Sequence, residues 1–226
     1  MTISFSDVNE RVFHIRVNNS QFGTAFRLDN NGKRLLVTAK HLFLESANKG
    51  FLIELGELNQ NSNIEYVPIP NGCAIELHPF ADIAIIDITP INGFLNLSFS
   101  PGLNYLPRQY DELFFLGFPT NCKFNNRFQN SKYPLPFLKS MMLSSKGIEN
   151  SIELLYLDTV STGGFSGSPV LLKVEDEYKV VGVQVANVYN PTRTIEPNTI
   201  ELINGIYSKE NSHIAIATII DYILTM

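Results

Sequence analysis

The sequence has few cysteines and lacks both a long apolar run and a signal-peptide pattern. Its two cysteines, Cys73 and Cys122, lie far apart and form no C-x-x-C motif. We therefore expect free thiols and a cytoplasmic protein, the alternative being a secreted protein whose signal has been removed. No stretch approaches the roughly 20 apolar residues that a membrane-spanning helix needs, so no membrane partner is expected.

Charge is also scarce, since 17% of the residues are charged and the formal net charge is −5. A protein that binds nucleic acid would favour an excess of Lys and Arg, so nucleic acid is not the expected partner. The sequence has no glycine-rich phosphate loop and no histidines and cysteines at zinc-ligand spacing, so we predict no cofactor and no metal. With 226 residues, 44% of them hydrophobic, the chain can bury a full core in one unit or in two packed halves.

Short apolar runs separated by Asn, Gly and Pro recur along the chain, and no long stretch has helical periodicity. This pattern predicts an all-β protein in which about six strands per half close into a barrel or sandwich. Residues 29–32 are typical of a hairpin turn. From their residue types we predict that residues 89–107 form a linker and that residues 187–204 form a loop. We place the halves at residues 1–100 and 101–226.

Residues 163–169 form a glycine-rich turn around a serine. Gly163 and Gly164, ahead of Ser166, allow backbone conformations that a side chain would forbid. Such a backbone can aim consecutive N–H groups at one point, as an oxyanion hole requires. Gly167 lets the chain turn tightly behind the serine. The alternative is a Gly- and Ser-rich hairpin loop with no chemical role.

Two upstream residues have the chemistry that such a serine needs. A serine hydroxyl is a weak nucleophile near neutral pH, so it requires a base, and the base requires a buried carboxylate to orient it. His41 follows the strand predicted over residues 34–39. Asp82 precedes four apolar residues, where an unpaired carboxylate would be costly. The alternatives are a surface histidine at a strand end and an aspartate that caps a strand.

Together these segments resemble the chymotrypsin/trypsin-like serine peptidases. Residues 164–169 resemble the nucleophile motif G-D-S-G-G-P, residues 38–41 resemble T-A-A-H, and residues 82–86 resemble D-I-A-L-L. The longer run 161–170 is most similar to the bacterial V8-like glutamyl endopeptidase branch. The order of histidine, aspartate and serine along the chain is also that of this clan.

The resemblance implies both a fold and an activity. The fold would be two packed six-stranded antiparallel β-barrels with a short C-terminal helix. The activity would be that of a serine endopeptidase that forms an acyl-enzyme on a protein or peptide substrate. Ser166 would be the nucleophile, His41 the base and Asp82 its orienting acid. The N–H groups of Gly164 and Ser166 would form the oxyanion hole.

Three positions depart from the family pattern. Phe165 stands where trypsins carry the Asp that pairs with a freed N-terminal amine, and residues 1–5 offer no obvious basic cleavage site. We therefore predict that the chain is not a trypsin-style zymogen and that Phe165 anchors the turn by packing. Val160 and Gln184 replace the charged pocket residues of trypsins and glutamyl endopeptidases, so uncharged substrate side chains are expected. The predicted pocket residues are Val160, Ser161, Thr162, Gln184, Val185 and Ala186.

Two alternative functions remain open from the sequence. One is a chymotrypsin-like scaffold without activity that binds peptides or a partner. The other is a processing or defence protease of narrow specificity, which leaves room for a regulatory partner. A basic stretch without any acid is predicted to be a solvated loop system, or else a surface for an acidic partner. Its cations are Lys123, Arg127, Lys132, Lys139 and Lys146.

Overall fold

The computed structural model describes residues 10–46, 50–95, 97–102, 105–120, 122–127, 131–195 and 202–225. The first sheet contains β1 (Val12–Val17), β2 (Gln21–Asn30), β3 (Lys33–Thr38), β4 (Ile53–Leu58), β5 (Ile64–Pro68), β6 (Ala74–Leu77) and β7 (Ala84–Asp87). The second contains β8 (Ser100–Pro101), β9 (Glu112–Gly117), β10 (Phe137–Glu149), β11 (Ile152–Asp158), β12 (Pro169–Val174), β13 (Glu177–Ile195) and β14 (Leu202–Ile219). Two 3₁₀ helices span Lys40–Ser46 and Ile220–Thr225. Residues 1–5, for which the sequence predicts no cleavage site, lie outside these ranges.

The first sheet is antiparallel, with the strand order β5-β4-β1-β2-β3-β7-β6. Its hairpin turn between β2 and β3 confirms the prediction for residues 29–32. Asn31 and Gly32 both have positive φ angles, 48° and 80°, as a two-residue turn that matches the strand twist requires. The sheet therefore brings β3 beside β7, the strand that follows Asp82.

The second sheet closes on itself. Its order is β12-β9-β10-β11-β14-β13-β8, and β13 also pairs with β12, so six strands form a closed ring with β8 at its side. The prediction of an all-β fold with two packed barrels is confirmed. The details differ, because the first sheet has seven strands and the short C-terminal helix is of the 3₁₀ type. Within the described ranges no helix is long and apolar enough to cross a membrane.

The loop predicted over residues 187–204 is wrong. β13 continues to Ile195 and β14 begins at Leu202, and the two strands pair as far as these residues. The prediction failed because the Asn and Pro content of this stretch is typical of loops. Pairing of β13 with β12 ends at Val183, and pairing of β14 with β11 ends at Ile214. Beyond Asn187, which pairs with Ala215, the hairpin is therefore a two-stranded ribbon that needs no apolar face toward a barrel core.

The predicted linker, residues 89–107, contains one short strand in its described part. That strand, β8, straddles the predicted boundary at residues 100 and 101 and pairs with β13 of the second sheet. The preceding residue, Phe99, bridges to Leu28 of the first sheet. The segment therefore contacts both sheets, and the exact domain boundary stays a prediction. Both predicted free thiols are confirmed, since Cys73 and Cys122 form no disulfide.

A buried histidine lies where aromatic side chains from both halves of the chain meet. His14 on β1 stacks on Phe118 and contacts Phe124, with a ring centroid distance of 5.3 Å in each case. Its Nδ1 atom lies 3.2 Å from the hydroxyl of Tyr66, and its Nε2 atom is buried without a partner in the described structure. Burial lowers the pKa of His14 to about 4, because the apolar surroundings disfavour the charged form.

This histidine predicts a loss of stability in acid. Above pH 6.5, the ordinary pKa of histidine, His14 is neutral in the folded and in the unfolded chain. Between pH 6.5 and about pH 4, the unfolded chain binds a proton at His14 that the folded chain excludes. Stability is therefore full above pH 6.5 and falls toward pH 4, and His14 alone should account for about 2 kcal/mol between pH 7.5 and pH 5. Urea unfolding at these two pH values should show that the wild type loses more free energy of unfolding than His14→Phe does, by this amount. An equal pH dependence in both proteins would contradict the assignment.

Candidate functional site

His41 and Asp82 form a doubly hydrogen-bonded pair. His41 lies on the 3₁₀ helix that follows β3, and Asp82 lies in the bend before β7, so the pairing of these strands brings them together. The Nδ1 atom of His41 lies 2.7 Å from Oδ2 of Asp82. The backbone N–H of His41 donates to Oδ1 of the same carboxylate at 2.8 Å. Both carboxylate oxygens thus hold one residue, and the Nε2 edge of the ring is left for another contact.

Asp82 is more exposed than its sequence context predicts. Its side chain is 32% exposed and that of His41 is 36% exposed, although the sequence predicted a buried carboxylate. The prediction failed because burial in this bend falls on Ala81 and Ile83, on either side of Asp82, and β7 begins only at Ala84. The two hydrogen bonds to His41, and not burial, fix the orientation of the carboxylate.

Ser166 lies in a turn that packs against the first sheet through its backbone. The N–H of Thr24 donates to the carbonyl of Ser166 at 2.8 Å. Gly167 has a φ of +88°, and a Cβ atom added there would lie 2.1 Å from the carbonyl oxygen of Thr24 and 3.0 Å from the nitrogen of Ala39. At Gly167 the turn therefore lies so close to Ala39, two residues before His41, that only glycine fits.

The Ser166 hydroxyl and the His41 ring are not hydrogen-bonded. Ser166 is half-buried, and in the part of the chain that the structure describes no hydrogen bond joins its Oγ atom to His41. The structure thus joins His41 to Asp82 directly. It brings the backbone of Ser166 to the same end of β3 and leaves the hydroxyl separate.

The N–H groups of Gly164 and Ser166 are available to a ligand. The carbonyl of Gly163 accepts from the N–H of Thr120 at 2.9 Å. In a planar trans peptide the carbonyl and the following N–H point in opposite directions, so the N–H of Gly164 points away from Thr120. Among the described residues, the N–H groups of Gly164 and Ser166 donate to no backbone acceptor. Gly164 has a φ of +91°, and a Cβ atom there would lie 2.2 Å from the carbonyl oxygen of Phe118.

Thr24 connects this turn to the first sheet through its side chain. It is fully buried, and its hydroxyl donates to the carbonyl of Gly164 at 2.8 Å while it accepts from the N–H of Phe118 at 3.1 Å. The hydroxyl of Thr38 donates to the carbonyl of Thr24 at 2.6 Å. These two threonines therefore hold the turn in place from the opposite barrel.

Phe165 anchors the turn, as the sequence predicted. Its side chain is 1% exposed, and its ring meets that of Phe115 edge to face at a centroid distance of 4.9 Å. An edge-to-face aromatic pair adds about 0.5–1.5 kcal/mol to the gain from burial. The residue before Ser166 is thus fixed by apolar packing.

The predicted pocket residues divide into buried and exposed members. Ser161 and Gln184 are fully buried, and the Nε2 atom of Gln184 lies 3.3 Å from the Ser161 hydroxyl and 3.0 Å from the carbonyl of Ala186. Val185 is also buried, while Val160, Thr162 and Ala186 are exposed. The structure therefore brings Ser161 and Gln184 together and covers both from solvent.

Solved structures share this arrangement of sheets, whereas no protein-family model and no curated protein matches the sequence. The HtrA-type protease AlgW with tripeptide has a TM-score of 0.58 and 14% identity, covering 99% of this chain and 62% of that chain. Deg5 has a TM-score of 0.57 and 20% identity, covering 80% and 82%. A thermostable serine protease, AL20, from an extremophilic microorganism has a TM-score of 0.57 and 10% identity, covering 98% and 96%. The fold is that of the chymotrypsin-like serine proteases.

Several residues that shape this site carry no signal in the sequence. Thr24 is one of many threonines in strands, and nothing in its neighbours distinguishes it. Lys139 contacts the turn from β10, but the sequence shows it only as part of a basic stretch. Thr38 begins the motif that ends in His41, and this motif predicts where Thr38 lies in the sequence pattern but not that it contacts Thr24. The V8-like branch stays a prediction, since the structural similarity is to the fold.

The Thr24 hydroxyl predicts a measurable stability difference. Thr24→Val keeps the shape of the side chain but leaves the carbonyl of Gly164 and the N–H of Phe118 buried without a partner. Such unsatisfied groups cost about 1–3 kcal/mol each, so Thr24→Val should unfold at clearly lower urea concentration than the wild type. Thr24→Ser is the matched control because it keeps the hydroxyl and loses a methyl group. A valine variant that is as stable as the serine variant would refute this role.

Proposed function

We propose that this chain is a serine endopeptidase in which Ser166, His41 and Asp82 act as nucleophile, base and orienting acid. The observation that supports this most directly is the doubly hydrogen-bonded His41–Asp82 pair at the strand end against which the Ser166 turn packs. A carboxylate on Nδ1 fixes the tautomer that leaves Nε2 able to accept a proton. The similarity of fold to serine proteases agrees with this chemistry but does not by itself assign it.

The proposed reaction proceeds in two halves. Oγ of Ser166 bonds to the carbonyl carbon of the substrate and its proton passes to Nε2 of His41, while Asp82 stabilises the imidazolium. The negatively charged oxygen is held by the N–H groups of Gly164 and Ser166. The peptide C–N bond then breaks, and the amine leaves with the proton from His41. Water, deprotonated by His41, next attacks the acyl-enzyme, releasing the carboxylic acid and restoring Ser166.

The lack of a hydrogen bond between the Ser166 hydroxyl and His41 agrees with a serine protease that has no substrate bound. Catalytic hydrogen bonds are often long or poorly aligned without substrate and shorten only in the complex. The same feature also favours the second candidate function, a scaffold that binds peptides without cleaving them. The two functions differ in whether Ser166 is reactive, so one labelling experiment distinguishes them.

We further propose that the chain needs no N-terminal cleavage to become active. Phe165 carries no carboxylate, and its buried site would penalise an unpaired ammonium driven into it. Packing against Phe115 already holds the turn. Control of activity would then come from substrate choice or from a partner, as in a processing or defence protease of narrow specificity.

Labelling with a fluorophosphonate tests the nucleophile. Intact protein, with its mass verified, should form a covalent adduct at Ser166, located by mass spectrometry, and should hydrolyse peptides. Ser166→Ala and His41→Ala should each lose roughly 10⁴–10⁶-fold of the hydrolytic activity, and the double variant should lose little more, because the residues act as one unit. A wild type that takes no label, yet binds peptides as tightly as Ser166→Ala does, would favour the binding scaffold. If the protein takes the label only after N-terminal cleavage, the proposal that the uncleaved chain is active is refuted.

The pocket residues predict an uncharged side chain at the substrate residue before the cut. None of the six predicted pocket residues is charged, and Ser161 and Gln184 are buried against each other. An ionised Lys, Arg or Glu placed there would lose water without gaining an oppositely charged partner from these six residues, at a cost of several kcal/mol. A peptide library digested by the wild type should therefore show apolar or small polar residues at this position. Ser166→Ala is the control for contaminating proteases, and a profile dominated by Glu or by Lys and Arg would contradict the pocket assignment.

A further inference from the structure

A lysine of the second barrel contacts both ends of the segment that leads into Ser166. Lys139 on β10 donates from its ammonium group to the carbonyl of Val160. The same ammonium lies 5.3 Å from the centroid of the Phe165 ring. Val160 begins the segment 160–165 and Phe165 ends it, directly before the proposed nucleophile. One side chain thus bridges the two ends of this segment.

The contacts of Lys139 are of kinds that strengthen as water is removed. A hydrogen bond from an ammonium to a carbonyl is charge-assisted, and a cation over an aromatic face is attracted by the negative charge of that face. Phe115 lies opposite Lys139 in the β9–β10 register and contacts Phe165 edge to face. Phe165 is therefore held by an aromatic ring as well as by a cation.

The segment needs such a restraint because of its composition. It contains Gly163 and Gly164 in succession, and glycine loses more conformational freedom on ordering than any other residue. The carbonyl of Gly163 is fixed by Thr120 and that of Gly164 by Thr24. Lys139 adds restraint at Val160 and Phe165, the positions on either side of this glycine-containing stretch.

We propose that Lys139 is a positioning residue whose ammonium holds segment 160–165 so that the N–H groups of Gly164 and Ser166 meet the oxyanion. The inference rests on the proposed peptidase function, because an oxyanion arises only if Ser166 attacks a carbonyl. A misplacement of about 1 Å in such a group can cost about 100-fold in rate. Loss of the ammonium should therefore lower kcat more than it changes KM.

The charge of Lys139 gives this role a pH signature. Partial burial lowers the pKa of Lys139 below its ordinary value, while the Cys122 thiol, when ionised, acts in the opposite direction. As pH rises through the pKa of Lys139, the ammonium becomes neutral and activity should fall. Arginine stays protonated throughout this range, so Lys139→Arg should move the alkaline fall to higher pH. Both proteins should carry Cys122→Ser, so that ionisation of the thiol does not contribute.

The test compares Lys139→Met and Lys139→Arg with the wild type, and uses Lys146→Met as the matched control. Lys146 is an exposed lysine of the same strand, so its replacement removes an equal charge at a distance from the turn. The measurements are the rate of fluorophosphonate labelling and kcat and KM for a good peptide substrate. For Lys139→Met we expect labelling and kcat to fall on the order of 10-fold to 100-fold, with KM changed by less than about threefold. Lys139→Arg should recover most of the rate, and Lys146→Met should behave as the wild type.

The outcomes separate this inference from the proposed function. A wild type that takes no label overturns the peptidase function and this inference with it. A wild type that labels, together with a Lys139→Met variant that labels equally fast, overturns the positioning role alone. A loss confined to KM for substrates with an acidic residue before the cut would instead make Lys139 a substrate-binding residue. If Lys139→Met fails to fold, the pH dependence of activity serves as the test. The positioning role is overturned if the fall of activity at alkaline pH occurs at the same pH in Lys139→Arg as in the wild type.

Discussion

The site depends on a short set of hydrogen bonds by which the first sheet holds a turn of the second. Thr24 on β2 donates its backbone N–H to the carbonyl of Ser166 and its hydroxyl to the carbonyl of Gly164. His41 follows β3 and Asp82 precedes β7, two paired strands of the first sheet, whereas the turn leads into β12 of the second. Without a fixed junction the two sets of groups would have no defined relative position. The Thr24 contacts join the sheets at the point where the proposed chemistry requires close tolerance.

The turn needs glycine at two close approaches, at Gly167 to Thr24 of the first sheet and at Gly164 to Phe118 at the end of β9 in the second sheet. At Gly167 and Gly164 a side chain would collide with backbone atoms of Thr24 and Phe118, which cannot move without displacing a strand or its end. Both glycines also have positive φ angles, which other residues rarely adopt. The conformational cost of two such glycines is offset by hydrogen bonds from both sides of the junction. The His14 aromatic cluster, which includes Phe118, stabilises the same junction by apolar packing.

The sequence predicted the parts of the site that depend on local backbone requirements, and missed those that depend on contacts across the junction. The glycine turn, His41 and Asp82 lie in short motifs whose order and residue types reflect their chemistry. The anchoring by Phe165 also followed, because a residue without a carboxylate at this position leaves apolar packing to hold the turn. Thr24 and Lys139 could not be predicted, since a threonine or lysine in a strand becomes informative only once its partner is known. The β13–β14 ribbon was missed because a hairpin outside the barrel needs no apolar alternation.

Phe165 illustrates how an apolar residue can take over a position where the resembling family uses a charge. An ion pair at such a site must offset the desolvation of two charges, and it forms only when both partners are present. An aromatic ring packed on Phe115 needs neither a second ionised group nor a new chain end. The ring of Phe165 is also contacted by the Lys139 ammonium, which is only partly buried and so loses less hydration than a fully enclosed cation. The turn is then ordered by groups already present in the folded chain, namely Thr24 of the first sheet and Phe115 and Lys139 of the second.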